Sequence, residues 1–301
     1  MSAAAYEKIY EFFLQQREVR PASYSHARGI FRPSDVFSSG ELERHLNNPL
    51  LSPAWVQVVE KGQTIDFKEM CFSKNVQGRD LFFMDKTLLQ QAIQRGAAVV
   101  LEGLDILDGR LNSFAGALDQ SLPCALSNCE TFFSQSGNEA YYGHRDSDDV
   151  LVLQVEGRKV WHLYEPQPRR YFGNSPLTED EMGPKLIELE LNPGDALYVR
   201  AGVPHRCQTP GPYSLHVSFD LIDKTPNVEQ LAREASERYF HGSAEPYVSA
   251  KAMMEHYVRI IQGPDFQGML EGATRNARKR SEVFRRVIGR TAAVKLAPGA
   301  K

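Results

Sequence analysis

The chain has 301 residues, 42% of them hydrophobic, enough to bury a full core in one large domain with an appendage or in two modest ones; wholesale disorder is excluded. A formal net charge of −3 gives no global pull toward nucleic acid or an anionic membrane. Four cysteines (Cys71, Cys124, Cys129 and Cys207) form no CxxC pair and no dense disulfide scaffold, so they read as reduced thiols. Met1 to Glu7 lacks a basic start followed by an apolar run, and no stretch approaches the roughly 18 apolar residues of a membrane span, so a soluble, unexported, cytoplasmic protein is expected.

Tyr6, Ile9, Tyr10, Phe13 and Leu14 recur at helical spacing and predict an amphipathic helix that packs on a later element. Ser38 or Ser39 caps a second helix through Leu46, which Asn48 to Pro53 breaks, and Trp55 to Glu60 follows as a strand. Asp85 to Arg95 reads as a helix with Leu88, Leu89 and Ile93 inward, ended by Gly96 before a buried strand over Ala97 to Leu101. Ile106 to Leu122 reads as one further helix.

From Pro123 to about Leu221 the sequence changes to short apolar runs punctuated by Gly, Pro, Asn and Asp, the pattern of many short strands. Beyond Pro226 helical spacing returns, with Val228, Leu231, Ala232 and Ala235 on one face and Met253, Met254, Tyr257, Val258 and Ile261 on another. Arg275 to Lys301 carries nine Lys or Arg against one Glu, a solvated basic tail and the one segment suited to RNA or another acidic partner. The expected class is mainly β with flanking helices.

Gly143-His144-Arg145-Asp146 sets an imidazole and a carboxylate two residues apart, on one face of an extended backbone. His205 follows a Pro193-Gly194-Asp195 turn, the apolar strand Ala196 to Val199 and a second turn. His144, Asp146 and His205 therefore form a candidate facial triad, the ligand set that leaves open positions on iron(II). Taken alone, His-x-Asp also describes a hydrogen-bonded loop pair; the placement of both histidines at strand ends, where barrel sites are built, favours metal.

His144-Arg-Asp146, the run Leu153-Gln-Val-Glu-Gly-Arg-Lys-Val-Trp161 and Pro193-Gly-Asp195 through His205 together resemble the JmjC and cupin-like oxygenases, especially the bacterial and ribosomal-oxygenase branch. The resemblance spans roughly residues 80 to 222. It implies a double-stranded β-helix (jelly-roll) core over 80–222, an N-terminal helical and strand extension over 1–79 packed on it, and a C-terminal helical region over 223–301 that is a candidate dimerisation surface. It further implies Fe(II) as cofactor, 2-oxoglutarate and O2 as cosubstrates, and hydroxylation of an unactivated C–H bond with release of succinate and carbon dioxide.

Family members bind 2-oxoglutarate through a Lys or Arg placed as Lys159 is here, and through a Ser or Thr at the position of Ser218. Glu156-Gly157 is expected to make a hairpin turn from which Lys159, Trp161 and Leu163 return on one face; the competing reading of Lys159 is a surface hairpin lysine. A further contact is expected on the strand before the first ligand, where Asn128, Thr131 and Phe132 compete. On the last strand Ser214, His216, Ser218 and Asp220 alternate with Leu215, Val217, Phe219 and Leu221, so the polar set faces the pocket, with His216 expected as a hydrogen-bonded core histidine rather than a fourth ligand. Tyr141 and Tyr142 either line the substrate cleft or cover a core.

The substrate class stays open between a peptide or protein side chain and an amino-acid-like or biosynthetic metabolite. Two other readings remain: a cupin metalloenzyme that does not use 2-oxoglutarate, whether isomerase or dioxygenase, and a non-catalytic binding barrel.

Overall fold

The computed structural model describes residues 3–19, 23–121, 124–137, 141–166, 176–223 and 249–263, with 266 and 268. Contacts divide the chain into two compact units, Met1–Thr225 and Pro226–Lys301. In the second unit the Ser249 hydroxyl accepts from the Ala252 amide and caps a helix over Ala250–Gln262, which contains the predicted Met253, Met254, Tyr257 and Val258. The helical face predicted over Val228 to Ala235 and the basic tail Arg275 to Lys301 lie outside the described residues.

The first unit runs α1 (Ala3–Val19), β1 (Tyr24–Ala27), α2 (Ser39–Leu46), β2 (Val56–Glu60), β3 (Gln63–Ile65), β4 (Cys71–Val76), β5 (Arg79–Met84), α3 (Lys86–Gln94), β6 (Ala98–Leu101), α4 (Leu104–Leu107), α5 (Gly109–Ser121), β7 (Cys124–Gln135), β8 (Asp149–Gly157), β9 (Lys159–Tyr164), α6 (Glu179–Met182), β10 (Lys185–Leu191), β11 (Ala196–Val199), β12 (His205–Gln208) and β13 (Tyr213–Asp223). Ser38 caps α2 through the Glu41 amide, and Asp85 caps α3 through the amides of Thr87 and Leu88. The single helix expected from Ile106 is two: Asp108 interrupts it because its carboxylate accepts from the amides of Arg110 and Leu111 and so starts α5 afresh. The β4–β5 hairpin has no counterpart in the sequence reading.

Eight strands form one antiparallel sheet in the order β1-β11-β8-β13-β7-β6-β2-β3, and three form a second in the order β10-β9-β12. An isolated antiparallel bridge between His144 and His205 adds the His144 segment to the free edge of β12. The core is thus β11-β8-β13-β7 facing β10-β9-β12-His144, two four-membered layers between which the chain crosses repeatedly. This is a double-stranded β-helix of jelly-roll type, as expected. The N-terminal residues add β1 to one edge of the larger sheet and β2 and β3 beyond β6 to the other.

Strand alternation decides what each face covers. Leu151, Leu153 and Val155 of β8 and Leu215, Val217, Phe219 and Leu221 of β13 are buried in a core shared with Ile9 and Phe13 of α1 and Leu111, Phe114 and Leu118 of α5. Each such aliphatic side chain contributes about 1.5–3 kcal/mol on burial. The opposite face of β8, Val150 and Val152, meets Trp161, Leu163, Leu191, Leu197, Val199 and Val203 between the two sheets. This apolar cluster fills part of the barrel interior and leaves the rest to polar side chains.

One expectation is corrected at Gly157. Glu156-Gly157 is no hairpin turn, because β8 and β9 belong to different sheets; the chain crosses from one layer to the other there. Gly157 has φ +62°, and a Cβ on it would stand 1.9 Å from the Tyr213 carbonyl oxygen, so only glycine fits the crossover. The buried Gln154 amide ties it down, donating to the Glu156 carbonyl (2.8 Å) and the Ser214 hydroxyl (3.0 Å).

Candidate functional site

His144 and His205 are neighbours because their backbones pair: each amide donates to the other's carbonyl, at 3.0 Å from His144 and 2.8 Å from His205. The loop between β11 and β12 is fixed by Asp149, whose carboxylate accepts from the Ala201 amide (2.9 Å) and the Tyr198 hydroxyl. The Gly202 amide in that loop donates to the Asp146 carbonyl (2.8 Å), which brings the third residue in. Asp195 of the Pro-Gly-Asp turn is structural: its carboxylate accepts from the amides of Gly29 and Asn192 and lies 3.5 Å from His26.

The side chains converge. Nε2 of His144 lies 3.6 Å from Oδ1 of Asp146, Nε2 of His205 lies 3.5 Å from Oδ2, and one ligand atom from each of the three falls within 4.8 Å of the others. Nδ1 of His144 is 2.9 Å from the Tyr142 carbonyl, and Nδ1 of His205 is 3.1 Å from the Val203 carbonyl. A carbonyl only accepts, so each Nδ1 carries a proton and Nε2 is the ligand atom each ring turns toward the Asp146 carboxylate. Burial, reinforced by His144, pushes His205 down to about 4, which keeps it a neutral donor. Two imidazoles and a carboxylate suit a divalent cation.

These three residues open onto a cavity of about 430 Å³. Six rings encircle it: Phe132 contacts Tyr141 at 6.3 Å between centroids, Tyr141 contacts His144 at 5.9 Å, His144 contacts His205 at 4.5 Å, His205 contacts Trp161 at 5.3 Å, Trp161 contacts His216 at 6.0 Å, and His216 stacks on Phe132 at 4.9 Å. Tyr142 also lines it, so the aromatics beside the first histidine belong to the cleft. Their setting is firm, because the Tyr141 hydroxyl donates to Gln57 (2.7 Å) and Gln57 donates to Glu102.

Lys159 is no surface lysine: it is 2% exposed, points into the cavity, and donates from Nζ to the hydroxyls of Ser134 (2.7 Å) and Thr209 (3.1 Å). Ser134 and Thr209, themselves 2.8 Å apart, were not singled out by sequence reasoning. Ser218 lines the cavity too, but it pairs in register with Glu130, four residues along β13 from the Ser214↔Ser134 pair beside Lys159. Asn128 lies farther the same way, opposite Asp220, with its amide donating to Glu130 (3.3 Å). Thr131 faces away from the cavity, its hydroxyl donating to the His216 carbonyl (2.8 Å). The structure therefore groups Lys159 with Ser134 and Thr209, and leaves Ser218, Asn128 and Thr131 outside that group.

His216 departs from its expected role. It is buried, but its Nδ1 has no hydrogen-bond partner and its ring lines the cavity, as does Trp161, whose Nε1 is likewise unpartnered. Burial first, then Lys159, holds His216 well below the ordinary imidazole range. Glu130 and Asp220 form an acidic wall. Burial and then Asp220 push Glu130 well up, while burial, followed by Asp146 and Asp148, pushes Asp220 up to about 8.

A family model for the JmjC domain matches residues 112–231. Those residues are similar to JmjC domains. Among curated proteins the chain is similar to the bifunctional lysine-specific demethylase and histidyl-hydroxylase NO66 of Dictyostelium discoideum, 24% identical over 82% of this chain and 48% of the relative. It is also similar to NO66 of Aedes aegypti, 36% identical over 33% of this chain and 16% of the relative, and to ribosomal oxygenase 1 of Gallus gallus, 29% identical over 50% and 25%. The chain spans about half or less of the length of these relatives. Among solved structures, Escherichia coli YcfD superposes with a TM-score of 0.53 at 16% identity, covering 84% of this chain and 68% of that one. A complex of YcfD, a ribosomal oxygenase, with cobalt and 2-oxoglutarate gives 0.51 at 16% identity, over 83% and 67%. These superpositions cover a larger share of the chain than the residues matched by the JmjC model. No helix among the described residues is long and apolar enough to cross a membrane.

Proposed function

We propose that this JmjC-like domain is an Fe(II)- and 2-oxoglutarate-dependent oxygenase that hydroxylates a C–H bond, with His144, Asp146 and His205 holding the metal. The observation that carries the reading is the position of Lys159. A buried ammonium in the same cavity as a two-histidine, one-carboxylate cluster asks for an anion, and a 2-oxo dicarboxylate supplies one for the metal end and one for Lys159. The donor set fits iron(II): both Nε2 atoms face Asp146, and the backbone carbonyls of Tyr142 and Val203 engage Nδ1 and leave Nε2 for the metal.

When bound there with 2-oxoglutarate, iron(II) supplies dioxygen activation, and the balance is 2-oxoglutarate, O2 and R–H giving succinate, carbon dioxide and R–OH. The chain's own residues bind and orient. Ser134 and Thr209 accept from the Lys159 ammonium and hold it toward the cosubstrate's distal carboxylate. Trp161, stacked on His205, keeps the ligand ring in place and offers its unpartnered indole N–H to an acceptor in the cavity. The aromatic ring around the cavity excludes water from the reacting groups.

A cupin enzyme that does not use 2-oxoglutarate would leave the buried Lys159 without an anionic partner from its cosubstrate. The relatives are called ribosomal oxygenases and a histidyl-hydroxylase, which supports a protein side chain as substrate over a metabolite. We keep a cytoplasmic location and a dimer through residues 223–301 as part of the proposal; light scattering tests the latter. The activity test is incubation with iron(II), 2-oxoglutarate and O2, assay of succinate, and mass spectrometry of peptide and metabolite pools for the gain of one oxygen atom. Succinate that depends on iron and on Lys159 supports the reading; a folded protein that makes none refutes it.

A further inference from the structure

The β4–β5 hairpin belongs to neither sheet of the core. Among the described residues its strands pair only with each other, so the outer edge of each has no strand partner. The turn Gln77-Gly78 is tightly set: both residues have positive φ (52° and 79°), as a type I′ turn requires, and the Gly78 amide donates to the Asn75 side chain (3.1 Å). Register decides which side chains share a face. Phe72 opposes Phe83, Lys74 opposes Leu81 and Val76 opposes Arg79, so these six point one way, with the two phenylalanine rings stacked at 5.5 Å between centroids. The apolar members stand open to solvent, Phe72 at 53%, Leu81 at 44% and Val76 at 41% exposure. Lys74 and Arg79 meet no carboxylate among the described residues; the hairpin's own Asp80 is on the opposite face, where it accepts from Asn75 (2.9 Å). An isolated two-stranded hairpin is marginally stable in water, and covering this face would stabilise it.

Charge decides what can cover it. A second copy of the same face would set Lys74 and Arg79 against like charges, and the segment Arg275 to Lys301, with nine cations to one Glu, is repelled for the same reason. A long polyanion such as RNA, or an anionic membrane, is disfavoured too. The +8 of that segment, taken from the total of −3, leaves −11 on residues 1–274, so a polyanion approaching the hairpin meets a net negative body. Leu81 and Val76, between the rings and the turn, offer no surface on which bases stack. A short peptide with one or two carboxylates needs only the local pair of cations. We propose that this face docks an acidic amphipathic segment of a partner protein, whose apolar side chains cover Phe72, Leu81 and Val76 and whose carboxylates pair with Lys74 and Arg79. The docking is independent of the chemistry in the cavity.

The test pans a displayed library of random dodecapeptides on the immobilised 301-residue chain and measures the enriched peptides by fluorescence anisotropy. The enriched sequences are expected to combine Asp or Glu with Leu, Ile, Phe or Trp. They should bind the double variant Lys74→Glu/Arg79→Glu at least about tenfold more weakly than wild type, the scale of one charge-assisted hydrogen bond. Phe72→Ser should weaken them as well, with the melting temperature unchanged because its side chain is exposed; if the double variant does not fold, this variant carries the comparison. Peptides that bind wild type and variants equally occupy another surface and overturn the proposal, as does panning that enriches no acidic, apolar sequence. Three further outcomes overturn it by giving the face another occupant. A labelled oligouridylate, or phosphatidylserine vesicles, could bind wild type more tightly than the peptides do and lose that binding in the variants. A dimer seen by light scattering could dissociate on Phe72→Ser.

Discussion

His144 and His205 exchange both backbone hydrogen bonds, and each ring sets its Nδ1 against the carbonyl two residues earlier in its own segment, Tyr142 and Val203. The two imidazoles are therefore positioned by main chain on both sides. Their spacing survives loss of either side chain, whereas their donor function does not. His144→Ala is expected to leave the melting temperature of the metal-free protein nearly unchanged. It should weaken iron(II) binding by at least roughly 100-fold, since loss of even an outer-shell partner costs 10–100-fold. Anaerobic titration with a competing chelator measures this.

Lys159→Met keeps the buried stem and removes the charge. Ser134 and Thr209 still satisfy each other, being 2.8 Å apart, so no buried hydroxyl is orphaned and the fold persists. Affinity for 2-oxoglutarate is expected to fall by about 10- to 100-fold, the worth of a hydrogen bond between charged groups, with iron(II) affinity retained. Calorimetry on the iron-loaded variant separates the two quantities.

The protonation of His205 sets an acid limit on the metal-free protein. Its folded value of about 4 lies below the ordinary 6.5 of an unfolded imidazole. Above pH 6.5 neither state is charged and nothing is lost. As pH falls from 6.5 toward 4 the unfolded chain takes up a proton that the folded chain refuses, and stability drops, by on the order of 3 kcal/mol if the full shift is expressed. His205→Gln should flatten that decline in urea midpoints measured between pH 7 and 4.

Asp220 acts with the opposite sign. Its folded value of about 8 exceeds the unfolded 3.8, so only below about pH 3 do both states hold the proton and no cost arises. As pH rises toward 8 the unfolded carboxyl ionises while the folded one does not, and stability is lost. Asp220→Asn is expected to raise the melting temperature of metal-free protein at pH 8 and to change it little at about pH 3.

Gly62 has φ +74°, and a Cβ there would stand 2.5 Å from the ring of Tyr142, which lines the cavity mouth. Gly62→Ala must strain the β2–β3 turn and displace Tyr142. The expected result is a stability loss of about 1 kcal/mol with weakened binding on the substrate side and unaltered 2-oxoglutarate affinity. Denaturant melts and calorimetry check the two halves.

Local pattern carried the first helix, the capped helices α2 and α3, the strands of the core and the three convergent residues His144, Asp146 and His205, because period and spacing encode them. What it did not carry depends on pairing at long range. Gly157 looks like a turn until Tyr213 and Ser214 are placed beside it, and only then is it a crossing between sheets. Ser134 and Thr209 belong to no motif; they meet 75 residues apart because β7 of the larger sheet and the end of β12 of the smaller both bring a hydroxyl to Lys159 of β9.

A signal for the acidic wall was present. Asn128, Glu130, Phe132 and Ser134 alternate along β7 on the face that meets the cavity and Lys159, while Cys129, Thr131 and Phe133 take the other. Asn128 and Thr131 differ by an odd number and cannot both face the cavity in a regular strand, so strict use of the two-residue period would have set Thr131 aside.

The central claim is that the metal cluster and Lys159 form one site for one dicarboxylate. Calorimetric titration of 2-oxoglutarate into the anaerobic 301-residue chain, with iron(II), without it, and with Asp146→Asn, measures that most directly. The account predicts stoichiometric binding to the iron-loaded wild type and its loss both without metal and in the variant; binding of equal strength under all three conditions would contradict it.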